Sequence, residues 1–198
     1  MLPNIEKYRV ILASNSPRRR ELLAGLGFPY EVRVLSGIDE SYPPSLPVAE
    51  TALYIAGKKA EAYRATMSPD ELIITADTVV IVGDTILGKP ANDADACRML
   101  RLLSGKTHQV TTGVCLLTST REARFSVTTD VTFKPLSDEE INYYITHYHP
   151  LDKAGAYGIQ GIGSMLIDGI EGDYFNVVGL PVAALSELLE EEFDITVL

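Results

Sequence analysis

The stretch Val10-Ile-Leu-Ala-Ser-Asn-Ser-Pro-Arg-Arg-Arg-Glu-Leu-Leu23 decides how the chain is read, because it passes from strand to helix within a few residues. Val10 to Ala13 is a short apolar run of the kind that forms a buried strand. Ser16 has the character of an N-cap, and Pro17 takes the first helical position, where its missing N–H costs nothing. Arg18, Arg19 and Arg20 then fill the first turn, where the macrodipole is already positive, at a cost of up to about 1 kcal/mol each. A solvated basic turn held by nearby acids is one reading. The other is an anion site, since helix-start N–H groups and guanidinium forks together suit a phosphate or a carboxylate.

Working outward, Gly25 and Gly27 give stop signals and Tyr30 to Leu35 alternates as a strand. Asp39 and Glu40 open a loop marked by Pro43, Pro44 and Pro47; the pair are either turn-forming acids or metal or catalytic carboxylates. Val48 to Arg64 carries Leu53, Ala56, Ala60 and Tyr63 at helical spacing, with Lys58 and Lys59 side by side so that only one points in any given direction. Leu72 to Val82 is an almost unbroken apolar run with Asp77 in its middle. Desolvating a carboxylate there is expensive without a compensating cation or several donors, so Asp77 is either functional or paired with an internal Lys or Arg. Gly83-Asp84 turns a hairpin, and Gly88-Lys89-Pro90 ends the returning strand with an ammonium between two residues of restricted use.

In the second half, Asn92 or Asp93 caps a helix carrying Ala96, Met99, Leu100 and Leu103. Gly105-Lys106-Thr107 mimics the tail of a P-loop, but position 100 is Leu where that loop needs Gly, so no Walker site is present. His108 to Leu117 and Ala123 to Phe133 form a long hairpin, and Ser137-Asp138-Glu139-Glu140 is a capping box opening a helix to about Tyr148. Asp152 to Gly163 contains four glycines in nine residues, beside Lys153 and Gln160. This is either a loop whose backbone approaches a ligand closely or a bend between strands. Met165 to Ile170 reads as a strand, Asp168-Gly169 or Glu171-Gly172 as a turn, and Pro181 opens a last amphipathic helix with Leu185, Leu188 and Leu189. Interspersed strands and helices argue an α/β or α+β chain with a mixed sheet.

The 198 residues suit one domain over positions 1–198, or one domain built as two lobes. With 17 Lys+Arg against 27 Asp+Glu, net −10, the chain is a poor candidate for wrapping nucleic acid, although a local cationic pocket for a small anion is compatible with that balance. Two cysteines, Cys97 and Cys115, form no bridge framework, which fits a reducing compartment. No apolar run approaches about 18 residues and the start has no apolar signal region, so a cytoplasmic protein without membrane contact is expected.

Taken in order, Ala13-Ser14-x-Ser16-Pro17-Arg18-Arg19, Ala76-Asp77-Thr78, Gly88-Lys89-Pro90, Gly105 to Gly113 and Asp152-Lys153-Ala154-Gly155-x-Tyr157-Gly158-Ile159-Gln160-Gly161 resemble the Maf family of nucleoside triphosphate pyrophosphatases. The resemblance implies an α/β fold with an elongated mixed central sheet, flanking helices and two lobes around a cleft, similar to inosine triphosphate pyrophosphatases. It implies hydrolysis of a nucleoside triphosphate to the monophosphate and pyrophosphate, and a homodimer. The positions that separate substrate classes fall on Arg18, Thr78 and Gln160, a trio that looks like the dTTP and UTP branch rather than the sister branch preferring 7-methyl-GTP. Asp77 is then the proton acceptor, with Ser14, Ser16, Arg18, Arg19, Lys59, Lys89 and Lys153 around the phosphates. A divalent cation, Mg²⁺ or alternatively Mn²⁺, is expected on Glu40 and Asp77, since hard oxygen ligands suit it. A nucleotide sensor and a surface-mediated role in cell division are the readings from other classes; neither requires Asp77.

Overall fold

In the computed structural model, which describes residues 7–195, the described residues form one seven-stranded mixed sheet flanked by six α-helices. β1 (Arg9–Leu12) leads through a short loop into α1 (Pro17–Gly25), and β2 (Glu31–Val32) returns parallel to β1. α2 (Thr51–Tyr63) follows, then β3 (Glu71–Val82), β4 (Thr85–Leu87) and α3 (Asp93–Leu103). The long hairpin is β5 (Thr107–Leu117) and β6 (Glu122–Phe133), followed by α4 (Asp138–Tyr148), β7 (Ile167–Glu171), α5 (Tyr174–Val178) and α6 (Val182–Phe193). The strand order is β2-β1-β3-β5-β6-β7, with β4 also on β3.

β3 organises the sheet. On one side β5 pairs with it antiparallel along most of its length, from Ile73 to Ile81. On the other side β1 pairs in parallel with residues 71–74 and β4 antiparallel with residues 80–82. Residues 75–79 of β3 therefore have a strand neighbour on one side only. Asp77 and Thr78 sit in this gap and, because side chains alternate along a strand, they leave it on opposite faces.

The core divides at the same place. Leu72, Ile74, Val114 and Leu116 pack with α1 and α6, while Val80, Val110, Val131 and Phe133 pack with α3 and α4. Thr78 and Thr112, paired in register, interrupt the apolar stripe between these two clusters. On the opposite face α2 lies close to the sheet through Ala56, Ala60 and Tyr63. Gly113 on β5 permits that approach, because a Cβ there would fall on the backbone of Ala52 and Leu53.

Several local expectations change. Tyr30 to Leu35 yields only two strand residues, since β1 ends at Leu12 and the last rung is the Arg33 N–H donating to the Leu12 carbonyl. In α2, Leu53 is only half-buried, and Ala52 and Ile55 join the inward face instead. Residues Gly161–Leu166 form a 3-10 turn, so the strand expected from Met165 begins at Ile167, and Asp168-Gly169 lies within it rather than at a turn. α5 was not legible beforehand; Asp173 caps it by accepting the Phe175 N–H at 2.7 Å. No described helix is long and apolar enough to cross a membrane.

Candidate active site

The sheet gap opens into a cleft of about 580 Å³ whose lining includes all eleven side chains singled out as site residues. At its β1 edge, Ser14 Oγ accepts the Ser16 N–H at 3.2 Å and Ser16 Oγ accepts the Arg19 N–H at 3.4 Å. Each hydroxyl is thus used as an acceptor by the backbone, which leaves its hydrogen to donate.

The three arginines separate, as successive residues on a helix must. Arg18 reaches the cleft mouth, where Nη1 lies 3.6 Å from Asp152 on the opposite rim. Arg19 turns inward. Its Nε donates to the Gly179 carbonyl at 2.8 Å, Nη1 to the Ala76 carbonyl at 3.0 Å and Nη2 to Thr78 Oγ1 at 2.9 Å. Burial pushes its guanidinium below the ordinary value, and Asp77 pulls it back up. Arg20 donates to Asn15 Oδ1 at 3.1 Å and lies outside the lining. The three-cation turn is therefore one cleft cation, one internal tie and one surface group.

On the α2 face, Lys59 Nζ stands 2.8 Å from Asp77 Oδ1 and 3.3 Å from Glu40 Oε2. The Lys59 and Asp77 side chains are only 14% and 17% exposed, so the pair is screened little by solvent. The neighbouring pair runs in step: Lys58 Nζ holds Asp39 at 2.8 Å and the Ser41 carbonyl at 2.9 Å. Asp39 also accepts from Ser41 N at 2.9 Å, and with Lys58 foremost these bonds hold its carboxyl well below the usual range. Consecutive acids meeting consecutive lysines dock the acidic loop on α2 and bring Glu40 to the site. Asp77 is paired with an internal Lys, as one of its two readings requires, and it also lines the cleft. Among the described residues, no group of three or more His, Cys, Asp or Glu side chains stands ready to hold a metal alone.

The opposite rim is the glycine-rich segment. Gly155 N–H donates to the Gly88 carbonyl at 3.0 Å, which sets Lys153 near the exposed Lys89. Gly155 has φ +69°, and a Cβ on Gly163 would collide with the Gly158 carbonyl, so the glycines serve both turn and close approach. Lys153 Nζ is 2.7 Å from Asp152, and Gln160 is exposed on the lining. Beneath, Tyr157 Oη and His108 Nε2 lie 2.7 Å apart in a buried contact. Burial pushes the Tyr157 phenol up and the His108 imidazole down to about 4, so the imidazole is neutral. Reading the sequence missed Asp152 as a bridge between Arg18 and Lys153, and missed the Val177 to Gly179 floor. Asp173 as a cap and Gly179 as a stop are the local signals for the latter, too weak for a helix of five residues to be read from them.

A dTTP/UTP pyrophosphatase of Phocaeicola vulgatus is 62% identical over 93% of this chain and 96% of its own. One from Parabacteroides distasonis is 55% identical over 96% and 99%. One from Porphyromonas gingivalis is 51% identical over 96% and 98%. Among solved structures, the Staphylococcus aureus Ham1 protein has a TM-score of 0.47 at 16% identity, covering 80% of this chain and 79% of that one. Residues 9–192 match the family described as Maf-like protein, and with relatives of this identity and coverage the chain belongs to the Maf family.

Proposed function

We propose that this chain hydrolyses the α–β phosphoanhydride of dTTP and UTP, releasing the nucleoside monophosphate and pyrophosphate. The observation that carries the chemistry is the Glu40–Lys59–Asp77 cluster at the sheet gap, with Arg18, Lys89 and Lys153 around the same cleft. The choice of base is supported by relatives named dTTP/UTP pyrophosphatase at 51–62% identity.

Water attacks the α-phosphorus in line, a P–O bond forms, and the bond to the bridging oxygen breaks as pyrophosphate leaves. Lys59 holds Asp77 Oδ1, which leaves Oδ2 to take the proton of the attacking water. Lys59, Lys89, Lys153 and Arg18 neutralise the charge that develops on the leaving group, while Ser14 and Ser16 donate to phosphate oxygens. Arg19 contributes by bracing the backbone beside Asp77. Gln160 offers its amide N–H to O4 of the base. Glu40 Oε2 and Asp77 Oδ1 both meet the Lys59 ammonium, and their other oxygens, completed by substrate phosphates, are the donor set that would hold Mg²⁺ or Mn²⁺. When bound there, the ion supplies further neutralisation of the phosphate oxygens. The assembly implied by the family resemblance is a homodimer; light scattering at twice the 21.6 kDa chain mass supports it and a monomer mass overturns it.

Pyrophosphate release is to be measured on dTTP, UTP, CTP, ATP, GTP and 7-methyl-GTP, with Mg²⁺ and with chelator, on wild type and Asp77→Asn. Turnover of dTTP and UTP that needs metal and falls by at least about 100-fold in the variant is expected. Turnover of 7-methyl-GTP alone would overturn the base assignment, and binding without turnover would leave a sensor.

A further inference from the structure

Thr78 is one of the three positions to which the resemblance assigns base choice, yet its hydroxyl is already committed inside the protein. We propose that a directional line of hydrogen bonds, Arg19 to Thr78 to Thr112 to the Asn176 carbonyl, fixes Thr78 as an acceptor, so that the cleft takes a base presenting N–H there and rejects one presenting a bare ring nitrogen. This deepens the dTTP/UTP reading and rests on it.

The direction follows from the two ends. The Asn176 carbonyl can only accept, so the 3.1 Å contact from Thr112 Oγ1 uses the single hydroxyl hydrogen of Thr112. The 2.9 Å contact between Thr78 and Thr112 must then run from Thr78 to Thr112. Arg19 can only donate, and its Nη2 gives its hydrogen to Thr78 Oγ1 at 2.9 Å. Thr78 is left with no hydrogen and one lone pair.

Neither end can reverse. Arg19 is anchored by the Gly179 and Ala76 carbonyls, while the Asn176 amide donates to the Val110 carbonyl and Thr129 Oγ1 at 2.9 Å each. Thr112 and Asn176 are fully buried and absent from the cleft lining, whereas Thr78 is on it. Both threonines lie on the sheet face opposite Asp77, away from the proposed phosphate chemistry.

A cleft-facing acceptor has nothing to offer phosphate oxygens, which are acceptors themselves. It matches N–H or O–H. Uracil and thymine carry hydrogen on N3; cytosine N3 is bare. The same acceptor could take a sugar hydroxyl, and the two sources separate experimentally. Thr112 is thus a positioning residue that sets specificity without touching substrate.

The test is the kcat/KM ratio of UTP over CTP in wild type, Thr112→Val and Thr112→Ser, a ratio that does not depend on how much of each preparation is folded. Thr112→Val frees the Thr78 hydrogen to point into the cleft, so the ratio is expected to fall by roughly 10-fold, and Thr112→Ser to keep it. An unchanged ratio in Thr112→Val overturns the proposal. A change confined to dTTP over 2′,3′-dideoxythymidine triphosphate also overturns it, by assigning the acceptor to the sugar. Calorimetry of UMP and CMP on wild type needs no variant: tighter UMP is expected, and equal binding overturns the proposal. Failure of the underlying reading is distinct, since wild type would then turn over neither dTTP nor UTP.

Discussion

At the scale of single residues, costly placements explain themselves only when their partners are seen. His108 is 2% exposed and its imidazole is held down at about 4 by burial. The unfolded chain binds that proton near pH 6.5 and the folded chain does not, so stability is full above about 6.5 and is lost as pH falls toward 4. A loss on the order of 3 kcal/mol across that window is expected. Urea unfolding at pH 7 and pH 4.5 measures it, and His108→Gln should flatten the difference; an equal slope in the variant would assign the loss elsewhere. Glu71 acts lower, because bonds from Arg33 foremost and from Arg9 hold its carboxyl at about 2, so its contribution fades only below about 4.5. Asp77 and the arginines were legible at this scale because each broke a local rule, a carboxylate in an apolar strand and cations at a helix start, whereas Ser14 and Thr78 followed only from the family resemblance. What could not be read was that Arg19 turns inward, since three of its four acceptors, at Ala76, Thr78 and Gly179, come from segments far along the chain.

At the scale of elements, the approach of α2 to β5 is set by the absence of one side chain. Gly113→Ala would put a methyl group on the backbone of Ala52 and Leu53, and the helix must shift to make room. A destabilisation of about 3 kcal/mol is expected, with loss of pyrophosphate release because Lys59 moves with the helix. A variant within about 0.5 kcal/mol of wild type would contradict the contact. Elements with strong local chemistry were readable from sequence: the β5–β6 hairpin by its length, and α4 by the reciprocal bonds of Ser137 and Glu140. β2 and α5 were not. β2 is as short as its pairing with β1 allows, and α5, five residues long, is stabilised by side chains from β5 and β6 that local pattern does not reveal.

At the scale of the whole molecule, a chain of net charge −10 gathers Arg18, Lys59, Lys89 and Lys153 around one opening. Field focusing of this kind is weakened by salt. Raising NaCl from about 50 to 500 mM should therefore increase KM for dTTP several-fold while kcat changes little; a KM indifferent to salt would show that the rim cations are not used for capture. β3 and β5 contribute to both core clusters, and β5 is the one strand that pairs with residues 75–79 of β3 among the described residues. A rotation of one half against the other about that stretch would carry Arg18 and Gln160 on the rims further than Asp77, because displacement grows with distance from a pivot. Opening the mouth by that route would first part Arg18 from Asp152, 3.6 Å apart across it, while the Asp77 carboxylate kept its register on β5.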